Sequence, residues 1–555
     1  MDRLTRFGPP LQIATLLVAG VGIEHAVFAF ERWIPRTIYF EPSFTLALLG
    51  SVQWLVLPVL LLAAPLFWRR SNRLDWDVID SIGGFRWVVF GIAVSLCWSY
   101  AGYPINHYFG QTHVLDRWLL IGTTIAILRS PALLPLFLFE LAVCRAQLRH
   151  PVAALTSIGD ELPLRLIGMI TAAVVINLAV QSSAVAKLRS REQETVTSRN
   201  PWAVPTPILV FATLCLVGSY YGNAGIAKLT IGESPIDWIT GSHLENLFVG
   251  TYLKGWQWVG TMQSLVDWSS AVATIGPFVS AATVIIECGM IFILVHRVGT
   301  VFLLTCMLGM HLGIVALSGI FFWKWLVVET ALGLWLWWAR DNRSLDAIYS
   351  KSHAVISVVV IIAFMNTFKL NDFTWWNTKR YAVLEIEAQS TNGSTCSIDA
   401  EDFSPYMLVD YIRPAGAARD TFGFGSTLSQ ALMSRTEESD AAVLSAVLRK
   451  RRKQNAGVTN EPEKHNINDF MGRYIANQNR WMEQSADPSR FVFPFVFPAP
   501  LIHLKARSSR SHPQCEGELG ISEISIRLWE PYFTGKQFMT LDDQVLHNLQ
   551  IPASR

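Results

Sequence analysis

Pro207-Ile-Leu-Val-Phe-Ala-Thr-Leu-Cys-Leu-Val-Gly-Ser-Tyr220-Tyr221-Gly-Asn-Ala-Gly-Ile-Ala-Lys228 decides the architecture. No acid or base interrupts it between Pro207 and Ala227. An α-helix needs about 20 mostly apolar residues to cross the hydrocarbon core of a bilayer. Runs of this kind recur at 9–30, 44–67, 83–101, 118–143, 164–186, 206–226, 271–295, 298–320, 322–338 and 353–370. The composition agrees: of 555 residues, 51% are hydrophobic and only 16% charged, with a mean hydropathy of +0.32. Soluble proteins carry nearer a quarter charged residues. The 21 Trp and 31 Phe suit the two interfaces of a membrane. A net charge of +2, from 45 basic and 43 acidic residues, is no footprint for nucleic acid. The apolar content also excludes disorder as the main theme.

After Leu370 the chain turns polar. The alternations Tyr381-Ala-Val-Leu-Glu-Ile-Glu and Arg490-Phe-Val-Phe-Pro-Phe-Val-Phe read as strands. Asp440 to Lys453 reads as an amphipathic helix ending in a basic run. The expectation is a polytopic α-helical membrane domain over 1–370, with about 9–10 spans. A soluble mixed α/β, strand-rich C-terminal domain follows over 371–555.

Arg3 and Arg6 precede a long apolar run with no small-residue cleavage pattern behind it. That reads as an uncleaved first span with its N-terminus in the cytoplasm. The basic segments Lys187–Arg199, His296-Arg297 and Arg340–Lys351 all prefer the inside, which puts the C-terminal domain outside. Five full spans before Lys187 contradict this, so one early segment is expected to be broken or re-entrant. Ile127-Leu-Arg-Ser-Pro131 is the suspect, because Arg and Pro at mid-span are costly. Cys97, Cys144, Cys215, Cys288 and Cys306 lie in apolar spans and read as small core residues. Cys396 and Cys515 are able to pair, which requires an oxidising compartment.

An ionisable side chain at bilayer depth costs at least ~2.5 kcal/mol, so each one is a functional suspect. Lys228, Glu287, His311, Glu24-His25, Glu140, Lys324 and Glu329 form this set. Each also has a plainer reading. Lys228 and Lys324 lie where lysines snorkel to the interface, His311 suits an interhelical hydrogen bond, and Glu287 suits an ion pair. Glu24 and His25, being adjacent, face different directions on a helix. There is no P-loop, Cys-x-x-Cys, His-Glu-x-x-His or Gly-x-Ser-x-Gly, so no metal is expected. Asn392-Gly-Ser394 is a sequon of the kind chance supplies. The basic run Arg449–Lys453 reads as a solvated helix end, or as a contact for anionic head groups.

Ala224-Gly225-Ile-Ala-Lys228-Leu229, followed by Trp238-Ile-Thr-Gly241, resembles the signature of vitamin K-dependent gamma-carboxylase and its bacterial relatives, the HTTM (horizontally transferred transmembrane) domain family. The aromatic pair Tyr220-Tyr221, Glu287, His311 and Asn106-His107-Tyr108 are similar to the family's arrangement. His113 is an alternative match to His107. The resemblance covers roughly residues 10–370, with its specific part within about 220–325. It implies reduced vitamin K or menaquinol as cofactor, with oxygen and carbon dioxide, and a peptide or protein glutamate as acceptor. It further implies Lys228 as base, His311 and His107 as catalytic partners, and Tyr221, Gly225, Trp238 and Glu287 around the cofactor. An amine drawn into low dielectric gives up its proton more readily, which suits a base. Two departures stand out. Ala227 replaces the first of two consecutive lysines, and the tail is shorter than that of the animal enzyme.

The partners implied are the lipid bilayer, a lipophilic quinol and an acceptor peptide or protein. The implied location is a bacterial inner membrane, with the C-terminal domain outside the cytoplasm. The alternative is a non-catalytic membrane protein whose outer domain binds a partner or envelope component. A transporter is the weakest reading, since no inverted repeat is visible.

Overall fold

Apolar runs of this length fold as helices because a helix satisfies its own backbone hydrogen bonds where water is absent. The computed structural model describes residues 2–34, 36–51, 76, 79–103, 105–149, 159–182, 203–230, 233–368, 379–381, 383–398, 403, 406, 461–483, 499–500 and 521–551. The helices of the apolar part are α1 (Asp2–Trp33), α2 (Phe85–Ala101), α3 (Val114–Ile127), α4 (Leu134–Arg149), α5 (Glu161–Ser182) and α6 (Thr206–Thr230). They continue with the short α7 (Asp237–Gly241), then α8 (Leu244–Leu253), α9 (Met262–Gly289), α10 (Arg297–Ser318), α11 (Trp323–Trp338) and α12 (Lys351–Met365). Between α2 and α3 the chain makes a small hairpin of β1 (Ile105–Asn106) and β2 (Gln111–Thr112).

Six helical segments among the described residues are long and apolar enough to cross a membrane: Pro10–Trp33, Pro131–Leu148, Glu161–Val180, Thr206–Thr230, Met262–Phe292 and Arg297–Ser318. A seventh exists if Arg343–Tyr349 and Lys351–Met365, bent by 61°, count as one. Among the described residues that is fewer than the expected nine or ten. α2 has 17 residues and α11 has 16, at or just under the shortest length of a crossing helix. Of 44–67 only residues 44–51 are described, and these are helical. The expected span 118–143 is two helices. α3 ends at Ile127, Arg129 is exposed, Pro131 opens the next helical segment, and α3 and α4 pack on one another. The break falls where Arg and Pro placed it.

α6 is the central helix, 83% buried, whereas α9 with the turn after it is 33% buried and α10 only 22%. Phe278, Ile285 and Phe302 point outward, while charges turn inward. Exposed apolar faces of this extent mark a surface made for something other than water. Arg145 binds Glu31 (2.5 Å) and Asp160, and Asp160 also accepts from Tyr100 and Lys324. Asp160, just before α5, thus staples α1, α2, α4 and α11 together. Lys324 does not snorkel; it is buried on Asp160. Nearby, Arg165 bonds Glu24 (2.7 Å) and Thr367 (3.0 Å), while His25 next to Glu24 is exposed.

Beyond α12 the described residues form an antiparallel sheet and one helix. The strands are β3 (Val383–Ser390), β4 (Thr395–Ile398), β5 (Ile521–Phe533) and β6 (Phe538–Gln550), arranged in the order β4-β3-β5-β6. Ile386 pairs with Ile526 and Ala388 with Ile524. Their buried side chains meet Phe470, Met471, Tyr474 and Ile475 of α13 (Glu461–Glu483). The expected strand at 381–387 is β3, offset by two residues. The sequon lies on the β3–β4 turn, where Gly393 takes φ +86°. Cys396 is disulfide-bonded, and the five cysteines of the apolar part are free. Its expected partner Cys515, the helix 440–453 and the strand 490–497 lie outside the described residues.

This sheet-and-helix unit grips the helices at two places. In the β1–β2 hairpin, Asn106 accepts from Tyr406 (2.7 Å). Asn477 of α13 donates to the carbonyls of His107 (2.6 Å) and Tyr108 (3.2 Å) in the same hairpin. At the second place Tyr381, Phe533 and Phe538 pack on Leu244, Phe248 and Val272 of α8 and α9.

Candidate functional site

α6 and α9 approach so closely that one position tolerates only glycine. A Cβ on Gly225 would stand 2.7 Å from the backbone nitrogen of Cys288 and 2.8 Å from its Sγ. Gly225→Ala should therefore force the helices apart and cost about 1–3 kcal/mol. Thermal unfolding in lipid checks this, and an unchanged midpoint would refute the tight contact.

The same approach brings Lys228, three residues further along α6, onto Glu287 beside Cys288. Lys228 Nζ lies 2.6 Å from one carboxylate oxygen of Glu287 and 2.8 Å from the other. Both side chains are buried. α7 adds Trp238, whose ring centre lies 5.3 Å from the Lys228 nitrogen. The snorkelling alternative for Lys228 thus fails, because a carboxylate holds the ammonium inside the protein.

Two turns back on α6, Tyr221 donates to Glu329 of α11 (2.5 Å). His311 of α10 places Nδ1 2.8 Å from the same oxygen. The imidazole is enclosed by Tyr221, Phe322 and Trp325, with ring centres 5.8, 5.7 and 5.4 Å away. Positions 221, 225 and 228 follow the 3–4 spacing of one helix face.

Of the expected residues, Lys228, Glu287, Gly225 and Trp238 come together, and Tyr221 and His311 form the neighbouring cluster. His107 lies elsewhere: its ring is 5.0 Å from Tyr474, at the contact with the C-terminal unit. The alternative, His113, is buried against Phe44 (6.4 Å) and 3.6 Å from Asp116. No contact among the described residues joins either histidine to Lys228. Glu329 stands out in the sequence only as an ionisable group in an apolar run, yet it is the hinge of the second cluster. Its partners come from other helices, and no spacing within one helix announces them.

Buried hydrogen-bonding atoms without a partner are uncommon in folded proteins. Trp238 Nε1, Ser242 Oγ, Ser280 Oγ and Tyr381 Oη are four of them here. Burial, with Glu245 and Tyr532 nearby, pushes the Tyr381 hydroxyl well above its ordinary range, so it stays a neutral donor.

Chemically, a buried lysine bonded to a carboxylate holds a proton that can rest on either partner. With the proton on Lys228 the two form an ion pair, and with it on Glu287 the amine is free. The chain matches no model of a known protein family, no curated protein and no solved structure.

Proposed function

We propose that this chain is an integral membrane protein of the gamma-carboxylase-like, HTTM type, in which Lys228 and Glu287 handle a proton for a reduced quinone. The observation that carries the reading is the buried Lys228–Glu287 pair, held at 2.6 Å on two helices that a glycine allows to touch. Six apolar helices and their outward-facing Phe278 and Ile285 support insertion in a bilayer.

The residues present fit a quinol. Trp238 offers a flat aromatic face beside the pair, and its buried Nε1–H lacks an acceptor that a quinol oxygen provides. Bound there, a reduced naphthoquinone would supply reducing equivalents and, with oxygen, enough base strength to remove a glutamate γ-proton for capture of carbon dioxide, leaving as its epoxide. With the pair's own proton on Glu287, the uncharged amine of Lys228 takes the hydroxyl proton. Glu287, which orients the amine, then releases its proton to water so that the ion pair re-forms. Tyr221, hydrogen-bonded to Glu329, and His311, whose Nδ1 lies 2.8 Å from the same carboxylate oxygen, form a second polar group behind the pair. His107, packed on Tyr474, acts in this reading only by holding the outer unit in place.

Quinol chemistry reaching a peptide acceptor favours a bacterial inner membrane with the C-terminal unit outside. The disulfide at Cys396 supports that orientation. The test is epoxide formation, followed by mass spectrometry, from reduced naphthoquinone and oxygen by the full protein in lipid. Epoxide is the expected product, and glutamate carboxylation then becomes the next assay. No epoxide from folded protein across several quinols sinks the reading.

A further inference from the structure

Trp238 Nε1, Ser242 Oγ, Ser280 Oγ and Tyr381 Oη belong to α7, α9 and segments packed next to them. The buried stripe of α9 reads Leu265, Ser269, Val272, Gly276, Ser280, Val284, Glu287. Ser280 is thus two turns, roughly 10 Å, before Glu287 on one face. α7 and α8 pack along that face. A Cβ on Gly276 would lie only 3.9 Å from Leu244 Cβ, which brings the start of α8 against the stripe one turn from Ser280. Ser242 stands two residues before Leu244, and its N–H bonds the carbonyl of Trp238 (3.2 Å). Tyr381 closes the far end, in one apolar cluster with Leu244 and Val272. The seam therefore runs from the sheet of the outer unit to Lys228.

The chemistry along the seam is one-sided. Indole Nε1–H only donates, and three hydroxyls are free to donate. The carboxylate at its inner end, Glu287, is already engaged by Lys228. All four groups are more than nine-tenths buried. An unmade hydrogen bond in such a place is costly, and donors on adjoining elements call for an acceptor. Apolar Leu244, Val272 and Val284 are buried on the same helices, which suits a ligand with apolar bulk as well as oxygen.

We propose that the seam between α9 and the α7–α8 segment, lined by Trp238, Ser242, Ser280 and Tyr381, is a binding subsite for a ligand bearing carbonyl or carboxylate oxygens. The assignment rests on the quinol reading for its choice of ligand, since a quinone carbonyl and a glutamate carboxylate share this acceptor chemistry. It adds the residues that select the ligand and the direction from which it is reached, the side of the outer sheet.

The experiment measures equilibrium binding of two probes to the full protein in lipid nanodiscs, a short-chain naphthoquinone and a soluble glutamate-containing peptide. Wild type is expected to bind at least one, and the probe that binds identifies the source of the acceptor oxygen. Trp238→Phe keeps a flat ring but no N–H, and Ser280→Ala removes one hydroxyl. Each is expected to weaken that probe about tenfold while melting at or above the wild-type temperature, because an unsatisfied buried group has been removed. Ser280→Thr retains the hydroxyl and should bind like wild type. Variants that bind as wild type does, a Ser280→Thr that binds no better than Ser280→Ala, or a wild type that binds neither probe would overturn the subsite. If the donor variants lose binding yet no epoxide ever forms, the subsite stands and the proposed reaction falls. Epoxide formation with unaltered binding in the variants removes the subsite and leaves the reaction standing.

Discussion

Lys228→Ala should reduce quinol epoxidation to background. The amine is the proton acceptor in the proposed reaction, and no other lysine or arginine is bonded to Glu287 among the described residues. The variant also leaves a carboxylate buried without its cation, and breaking a buried pair from one side costs about 3–5 kcal/mol. Lost activity alone would therefore be ambiguous. The double variant Lys228→Met/Glu287→Met removes both charges at similar volume, and such replacements are often neutral or stabilising. It is expected to melt near wild type and to form no epoxide. Glu287→Gln, which keeps the amine and one hydrogen-bond acceptor, should retain measurable turnover with an altered pH profile. Full activity in the double variant would remove Lys228 from the chemistry and return the pair to a purely structural role.

Asp160→Ala is expected to be the most destabilising single change in the helical part. Two buried cations, Arg145 and Lys324, lose a partner at once, and the Tyr100 hydroxyl loses its acceptor. Glu31 still neutralises Arg145 (2.5 Å). One-sided loss of a buried pair costs about 3–5 kcal/mol, and this variant takes one carboxylate from two buried cations together. Thermal unfolding in lipid nanodiscs reads the effect. Adding Lys324→Met to Asp160→Ala should recover a good part of the loss. If Asp160→Ala melts like wild type, the staple joining α1, α2, α4 and α11 carries no stability.

Much of the helical part is legible because a spanning helix is a local object, signalled by length and apolarity in one continuous run. The run around Phe211 and the suspected break at Arg129–Pro131 are readable for that reason. Span number is harder. Apolarity reports burial of any kind, and α2 and α11 are apolar yet shorter than the ~20 residues of a typical crossing. In the polar tail β3 shows its alternation. α13 and the long pair β5–β6 do not stand out, because their register is defined only by partners distant in the chain.

Sequence alone determined that this protein is dominated by apolar helices, that a polar strand-containing unit follows them, and that Lys228, Glu287 and His311 are the costly groups to explain. The cost of an ion in an apolar run is a property of that run by itself. Only the tertiary structure decided which ion answers which. Lys228 meets Glu287, Lys324 meets Asp160, and His311 meets Glu329, each across different elements of the chain. It also decided that His107 packs at the contact with the C-terminal unit. Partners of this kind are chosen by which helix faces touch. That depends on close approaches such as Gly225 against Cys288, which no periodicity within a single helix encodes.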